Sequence, residues 1–258
     1  MPHTSDTRYA VVSCHVERIL ADDVFARLLH FARDRPGGFP IAALIRPPDP
    51  DAAEDEAEWL ERARQLIAIG PFGHHTHWTS PSHARPRPGD DAGARVLREA
   101  TWFEERDLTP TLFCGGGWYT DAGVAAAVAA SGYTDCTPRA RRPGYLPLGA
   151  PWAQLDAPTR VETTGGVAAA IPTTHSIGEL ARAVVRPGGL PEPVVHVYFH
   201  DTDLLEVRRR SVLIGALRLL GRRRRASDLD VVVANLGATL SSVPFGGIAR
   251  GEGSDHPE

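Results

Sequence analysis

Eleven histidines are spread over 258 residues, and most gather in places where they can act together. His15, His74, His75, His77, His83, His175, His196 and His200 lie at, or just after, short apolar segments that read as β-strands. Strand side chains alternate faces, so residues two apart point the same way. That puts His15 with Glu17, His75 with His77, and His196 with Tyr198 and His200, while Val195, Val197 and Phe199 face the other way. Two imidazoles, a carboxylate and one open position describe a hydrolytic zinc site. Such an ion lowers the pKa of a water to about 7 and supplies a hydroxide at neutral pH. A lone His-x-His is usually structural, and His196 alone fits a core histidine bonded to a carbonyl. Their joint occurrence at three separate strand ends is what points to metal or acid–base chemistry.

Other chemistries find no support. All 28 basic residues are arginine, so mechanisms that need an active-site lysine, such as Schiff-base formation, are excluded. Cys114-Gly115-Gly116-Gly117 is glycine-rich but fits neither nucleotide-binding pattern. Its glycines are expected to let the backbone pass close to a substrate or metal. The net charge of -4 gives no reason to expect nucleic acid or an acidic membrane as partner. No stretch approaches the roughly 20 apolar residues of a membrane span, and the polar N-terminus does not read as a signal peptide. Three cysteines without zinc-finger spacing suggest reduced thiols and a cytoplasmic location. Arg222 to Arg225 suits the solvated C-terminus of a helix.

The elements that must position these residues alternate in type. Strands are expected at Tyr9–Cys14, Ile41–Ile45, Ala68–His75, Thr111–Cys114, Tyr133–Cys136 and Val194–His200. Helices are expected at Asp22–Asp34, Glu54–Ile67, Asp90–Arg106, Asp121–Ser131, Ile177–Val185 and about Leu205–Leu220. Turns and short strands fill the stretch from Pro138 to Pro172. Repeated β-then-α order predicts parallel strands covered by helices, an α/β fold of the irregular (β/α) barrel kind. One domain is expected over 1–246, with a disordered tail at 247–258. Catalytic groups of such barrels cluster at strand C-termini, where these histidines lie.

In this order the motifs resemble the polysaccharide deacetylase family, the NodB-homology or family 4 carbohydrate esterases. Its first motif carries a base Asp and a metal-binding carboxylate; Ser13-Cys14-His15-Val16-Glu17 occupies that place, with His15 at the base and Glu17 at the ligand. Gly73-His74-His75-Thr76-His77 is similar to the first half of the His-[Ser/Thr]-x-x-His motif. The expected second histidine falls on Thr79, so His77 or His83 would replace it. Phe113 to Tyr119 resembles the third motif with Cys114 in place of its arginine, and Gly132-Tyr133-Thr134-Asp135 resembles the family's Gly-Tyr-then-Asp strand. Val194 to Asp201 resembles the last motif, with His200 as general acid. The resemblance runs from Val11 to about Leu205 and implies a deformed seven-stranded barrel of the same irregular (β/α) type.

That resemblance implies N-deacetylation of an amino sugar on Zn2+ or another divalent metal. Metal ligands would be Glu17, His75 and His77 or His83. His15 would be the base, or a third imidazole on the metal, and His200 the acid. Trp78, Trp118 and Tyr119 are candidates for stacking on a sugar ring, and a small or glycan-precursor substrate is expected. An amidohydrolase would carry His-x-His on its first strand and a ligand lysine later, and neither is found. A catalytically inactive relative that binds a glycan or partner protein is the alternative from another class, favoured by His15 and Cys114 at altered motif positions.

Overall fold

The structure is a computed structural model that describes residues 8–236 and 240–250. In chain order its strands and helices are β1 (Tyr9–Val16), α1 (Asp22–Asp34), β2 (Ile41–Ile45), α2 (Glu56–Ile67), β3 (Phe72–Thr76), α3 (Ala92–Glu104), β4 (Leu112–Gly115), α4 (Ala122–Ala130) and β5 (Thr134–Asp135). There follow β6 (Trp152–Ala153), β7 (Thr159–Thr163), β8 (Gly166–Ala170), α5 (Ile177–Ala183), β9 (Val194–His200) and α6 (Val207–Gly221). The last are β10 (Arg225–Ala226), α7 (Leu229–Leu236), β11 (Ser242–Pro244) and β12 (Ala249–Arg250). No helix among the described residues is long and apolar enough to cross a membrane.

The central sheet is mostly parallel. β1 lies between β9 and β2, and β3, β4, β5 and β8 follow in order, each parallel to the last. The exception is β7, antiparallel to β8, which carries β11 on its far side. The chain just after β8 reaches β9 through a parallel bridge, His175 with Val197, and through Tyr198 N–H donating to the His175 carbonyl at 2.9 Å. This seam is a bridge and not a continuous ladder, so the expected barrel is met as a curled, mostly parallel sheet without a closed run of strands.

Side-chain alternation splits the sheet into two environments. On β1, Ala10, Val12, Cys14 and Val16 pack outward against a layer that includes Leu28 and Phe31 of α1 and Leu213 and Leu217 of α6. Tyr9 and Val11 point inward, with Leu44, Leu112 and Ile171, where Leu229 and Val232 of α7 join them. Moving along the inner face toward the strand C-termini, the residues turn polar. On β1 the series is Val11, Ser13, His15; on β9 it is Val194, His196, Tyr198, His200. Ser13 Oγ and His196 Nε2, both fully buried, bond to each other at 2.9 Å between the apolar floor and the polar end. On β3 the inner position below His75 must be glycine: a Cβ on Gly73 would sit 2.1 Å from the Leu44 side chain.

Two expectations need correction. The third strand starts at Phe72 and not Ala68, because Ala68 still donates to Arg64 as the cap of α2, and Gly70 must pass close under the Ile41 carbonyl. The segment after Pro138 holds short strands as expected, among them the antiparallel pair β7 and β8. The tail is ordered further than expected, since Ala249 and Arg250 pair with Ala153 and Trp152; residues 251–258 of that expected tail lie outside the described residues.

Candidate metal centre

Glu17, His75 and His77 converge. The Nε2 atoms of His75 and His77 are 3.2 Å apart, and Glu17 Oε1 lies 3.8 Å from the first and 3.3 Å from the second. His200 Nε2 is 3.6 Å from the same oxygen. Each of the β3 imidazoles is oriented by a carbonyl: His75 Nδ1 lies 2.7 Å from the Cys114 oxygen and His77 Nδ1 2.9 Å from the Pro81 oxygen. A carbonyl can only accept, so both rings carry their proton on Nδ1. Both Nε2 lone pairs then face each other and a carboxylate, three electron-rich atoms with no proton to share. A cation resolves that conflict. Ligand atoms about 2.0–2.2 Å from a tetrahedral zinc are themselves roughly 3.3 Å apart, close to the separations here.

Although burial works against it, protons donated by His75 and His77 would hold the Glu17 carboxyl far below the usual carboxylate range; with those rings neutral, a cation would take over that role. Burial lowers His75 to about 4, so its ring is neutral and ready to ligate near pH 7.

Glu17 lies just past the end of β1 and is placed by its neighbours. Asp201, fully buried, accepts the amide N–H of Glu17 at 2.9 Å and of Arg18 at 2.8 Å through Oδ2. Burial raises this carboxyl to about 6 despite those bonds. Arg46, at the end of β2, donates to the Glu17 carbonyl at 3.3 Å and pairs with Glu54. His200 is anchored by its own amide, which donates to Asp203 Oδ2 at 2.9 Å, and Arg209 holds the other Asp203 oxygen. A groove of about 500 Å³ opens beside it, lined by Tyr198, His200, Asp203, Ser176 and Arg208 among others.

Other expected site residues are placed differently. His83 is exposed on the hairpin after β3, where Nδ1 meets the Ser80 and Ser82 hydroxyls, so His77 and not His83 completes the group that could hold a metal. His15 lies beneath the cluster, 3% exposed and enclosed by the rings of His75, Trp118, Tyr198 and His200. Burial, together with the charges of His75 and His200, pushes its pKa well down.

The expected aromatic platforms are also corrected. Trp78 is buried on the outer side, its indole N–H donating to the Ala92 carbonyl. Tyr119 packs on Trp78 and bonds Asp121. Trp118 does face the site, but it is buried between His15, Tyr198 and the guanidinium of Arg139, and offers no open face. Gly117 and Trp118 both take left-handed backbone, which folds the indole back over the inner face. The glycines before it approach protein and not a ligand: a Cβ on Gly116 would lie 2.6 Å from the Thr76 carbonyl.

Sequence reading missed Arg46, whose only signal is its place directly after β2, and Arg139, which lies four residues past β5. It also missed Tyr145, exposed beside Trp118 and Tyr198.

No family model matches the chain, and no curated protein matches it. Among solved structures, the crystal structure of a 4-α-glucanotransferase from Thermococcus litoralis is similar, with a TM-score of 0.57 at 10% identity. The match covers 92% of this chain and 40% of that one, so this chain spans well under half the length of its structural neighbour. At that identity the likeness concerns fold alone.

Proposed function

We propose that the protein is a divalent-metal hydrolase that removes the acetyl group from an N-acetylated sugar or sugar-like molecule. The observation that carries this reading is the pair of Nε2 lone pairs of His75 and His77, 3.2 Å apart and facing Glu17, with both Nδ1 protons spent on carbonyls. Glu17, His75 and His77 would hold the cation. A zinc ion bound there would polarise an amide carbonyl and acidify a water. His200 stands at the rim with Nε2 directed to the Glu17 side and the groove beyond it. From there it can hand a proton from Nε2 to the leaving amine nitrogen as the C–N bond breaks. Asp203 fixes the backbone of His200, and Asp201 and Arg46 fix that of Glu17, so both groups are set before substrate arrives. The groove suits a ligand of sugar size, and Tyr145 is an exposed aromatic beside Trp118 and Tyr198. A 4-α-glucanotransferase of similar fold is compatible with a carbohydrate substrate, by analogy of fold only.

His15 does not serve as base in this reading, because an enclosed ring cannot exchange its proton with water or substrate during turnover. That same enclosure favours one rival, a metal-bearing protein that binds a glycan without hydrolysing it. Acetate release from N-acetylated amino sugars, with and without added zinc after chelation, separates the two. The hydrolase requires zinc-dependent release, and His200→Ala should lose on the order of 10²-fold in rate while keeping its metal. Full metal and glycan binding with no acetate released would sink the hydrolase and leave the binder.

A further inference from the structure

We propose a second, sulfur-bearing cation seat directly beneath the first, formed by His15, His75 and Cys114. One donor atom from each of these three buried residues lies within 4.8 Å of the others. Their placement follows from register: Cys114 on β4 is paired with His75 on β3, and both point to the inner face. The His15 ring packs against His75 with centroids 4.5 Å apart and planes tilted by 33°.

Two further observations indicate a ligand. His15 Nε2 is enclosed and has no hydrogen-bond partner, an unusual state for a ring that is only 3% exposed. The Cys114 thiol, also buried, makes only a long contact to the Gly115 carbonyl at 3.8 Å and lies beside the Thr137 hydroxyl. A cation between them satisfies both. His75 belongs to both groups, and its Nδ1 is spent on the Cys114 carbonyl, so a single nitrogen serves either seat. The seats are therefore alternatives and not a binuclear pair, and the chain holds one ion in one of two places.

Chemistry decides which. The outer seat offers a carboxylate with two imidazoles and suits zinc and harder ions; the inner seat offers a thiol with two imidazoles and suits more thiophilic ions such as cadmium, with cobalt as a spectroscopic probe. Occupation of the inner seat breaks the Cys114 S–H bond, forms a sulfur–metal bond and releases the proton to solvent. An ion drawn inward leaves Glu17 and the groove, so thiophilic ions at this seat would silence the outer one. The inference shares His75 with the proposed function but needs no catalysis to test.

The experiment is titration of the chelator-stripped full chain with Co2+, reading the near-ultraviolet sulfur-to-cobalt charge-transfer band, alongside X-ray absorption of the Cd2+-loaded wild-type chain. A band at one equivalent and a sulfur neighbour to cadmium are expected. Glu17→Ala and Cys136→Ser should keep the band, and Cys114→Ser should lose it, with Cd2+ affinity down about tenfold or more and Mn2+ affinity unchanged. A wild-type chain with no band and no sulfur neighbour overturns the inner seat, whatever the variants do, and so does a band that survives Cys114→Ser. Unchanged Mn2+ binding in Glu17→Ala would instead count against the outer seat and leave this one standing.

Discussion

His74 and His75 are adjacent on one strand and meet opposite fates. His74 points outward under α3, where Nε2 lies 2.7 Å from Glu99 Oε2 and 2.8 Å from the Thr76 hydroxyl. Thr76 also donates to Glu99, and Arg95 holds that carboxylate's other oxygen at 2.8 Å. The rings of Phe103, Phe113 and Tyr133 surround the imidazole. This outer network engages Nε2 within the protein and leaves Nδ1 buried without a partner among the aromatic rings, with no second donor beside it. His75, facing inward, has the reverse account: Nδ1 is bonded, and Nε2 meets only another bare Nε2 and a carboxylate. Both histidines are buried beside a glutamate, so burial and proximity do not separate a structural histidine from a candidate ligand. Proton accounting does.

The sharpest way to break this comparison is to exchange the loss on the two sides. His75→Ala should lower zinc affinity by at least about 100-fold, beyond the range typical for residues that only support a ligand, with little change in the metal-free stability. Glu99→Ala should do the opposite. It strips the partner from a buried pair and should cost about 3 kcal/mol in urea unfolding, while the metal content stays at one equivalent. If Glu99→Ala empties the site, or His75→Ala leaves zinc binding untouched, the division between the two faces is wrong.

A second test concerns pH and the other inner-face histidine. Burial lowers His196 to about 4, as it does His75. An ordinary histidine in the unfolded chain titrates near 6.5. Between those values the unfolded chain binds more protons, so each of these residues withdraws stability as pH falls from about 6.5 toward 4. Asp135 and Asp201, both raised to about 6 by burial, act in the opposite sense as pH falls from 6 toward the usual carboxylate value. Wild type should therefore show partial cancellation. His196→Gln removes one destabilising group, and should reduce the loss of stability between pH 7 and pH 4.5 by about 2 kcal/mol relative to wild type. Urea melts at the two pH values measure it; an unchanged difference would show that His196 is not held neutral. The smallest effect is expected at His83, where alanine should shift stability by less than about 0.5 kcal/mol and leave zinc binding as it was. A drop in metal content there would restore His83 as a ligand.

Much of this was legible in the chain itself. Period-two spacing put His15 and Glu17, His75 and His77, and His196 and His200 on shared faces, and the alternation of elements called for a mostly parallel sheet. The bounds of α1, β2 and β9 agree with the pattern because strong periodicity there meets clear stops, such as Arg46-Pro47-Pro48 after β2. What spacing could not tell was distance across strands or the direction of a loop. His77 and His83 were equivalent in sequence; only the hairpin after β3, which returns His83 N–H to the Ser80 carbonyl, turns His83 to solvent. Trp78, Trp118 and Tyr119 looked alike as loop aromatics, yet backbone turns at Gly117 and Trp118 send one indole inward, while the Ala92 carbonyl and Asp121 anchor the other two outside. Local sequence determines which residues share a strand face, because that depends on the chain's own period. Which carbonyl takes each imidazole proton, and so which nitrogen remains free for a cation, was decided only when separate strands came together.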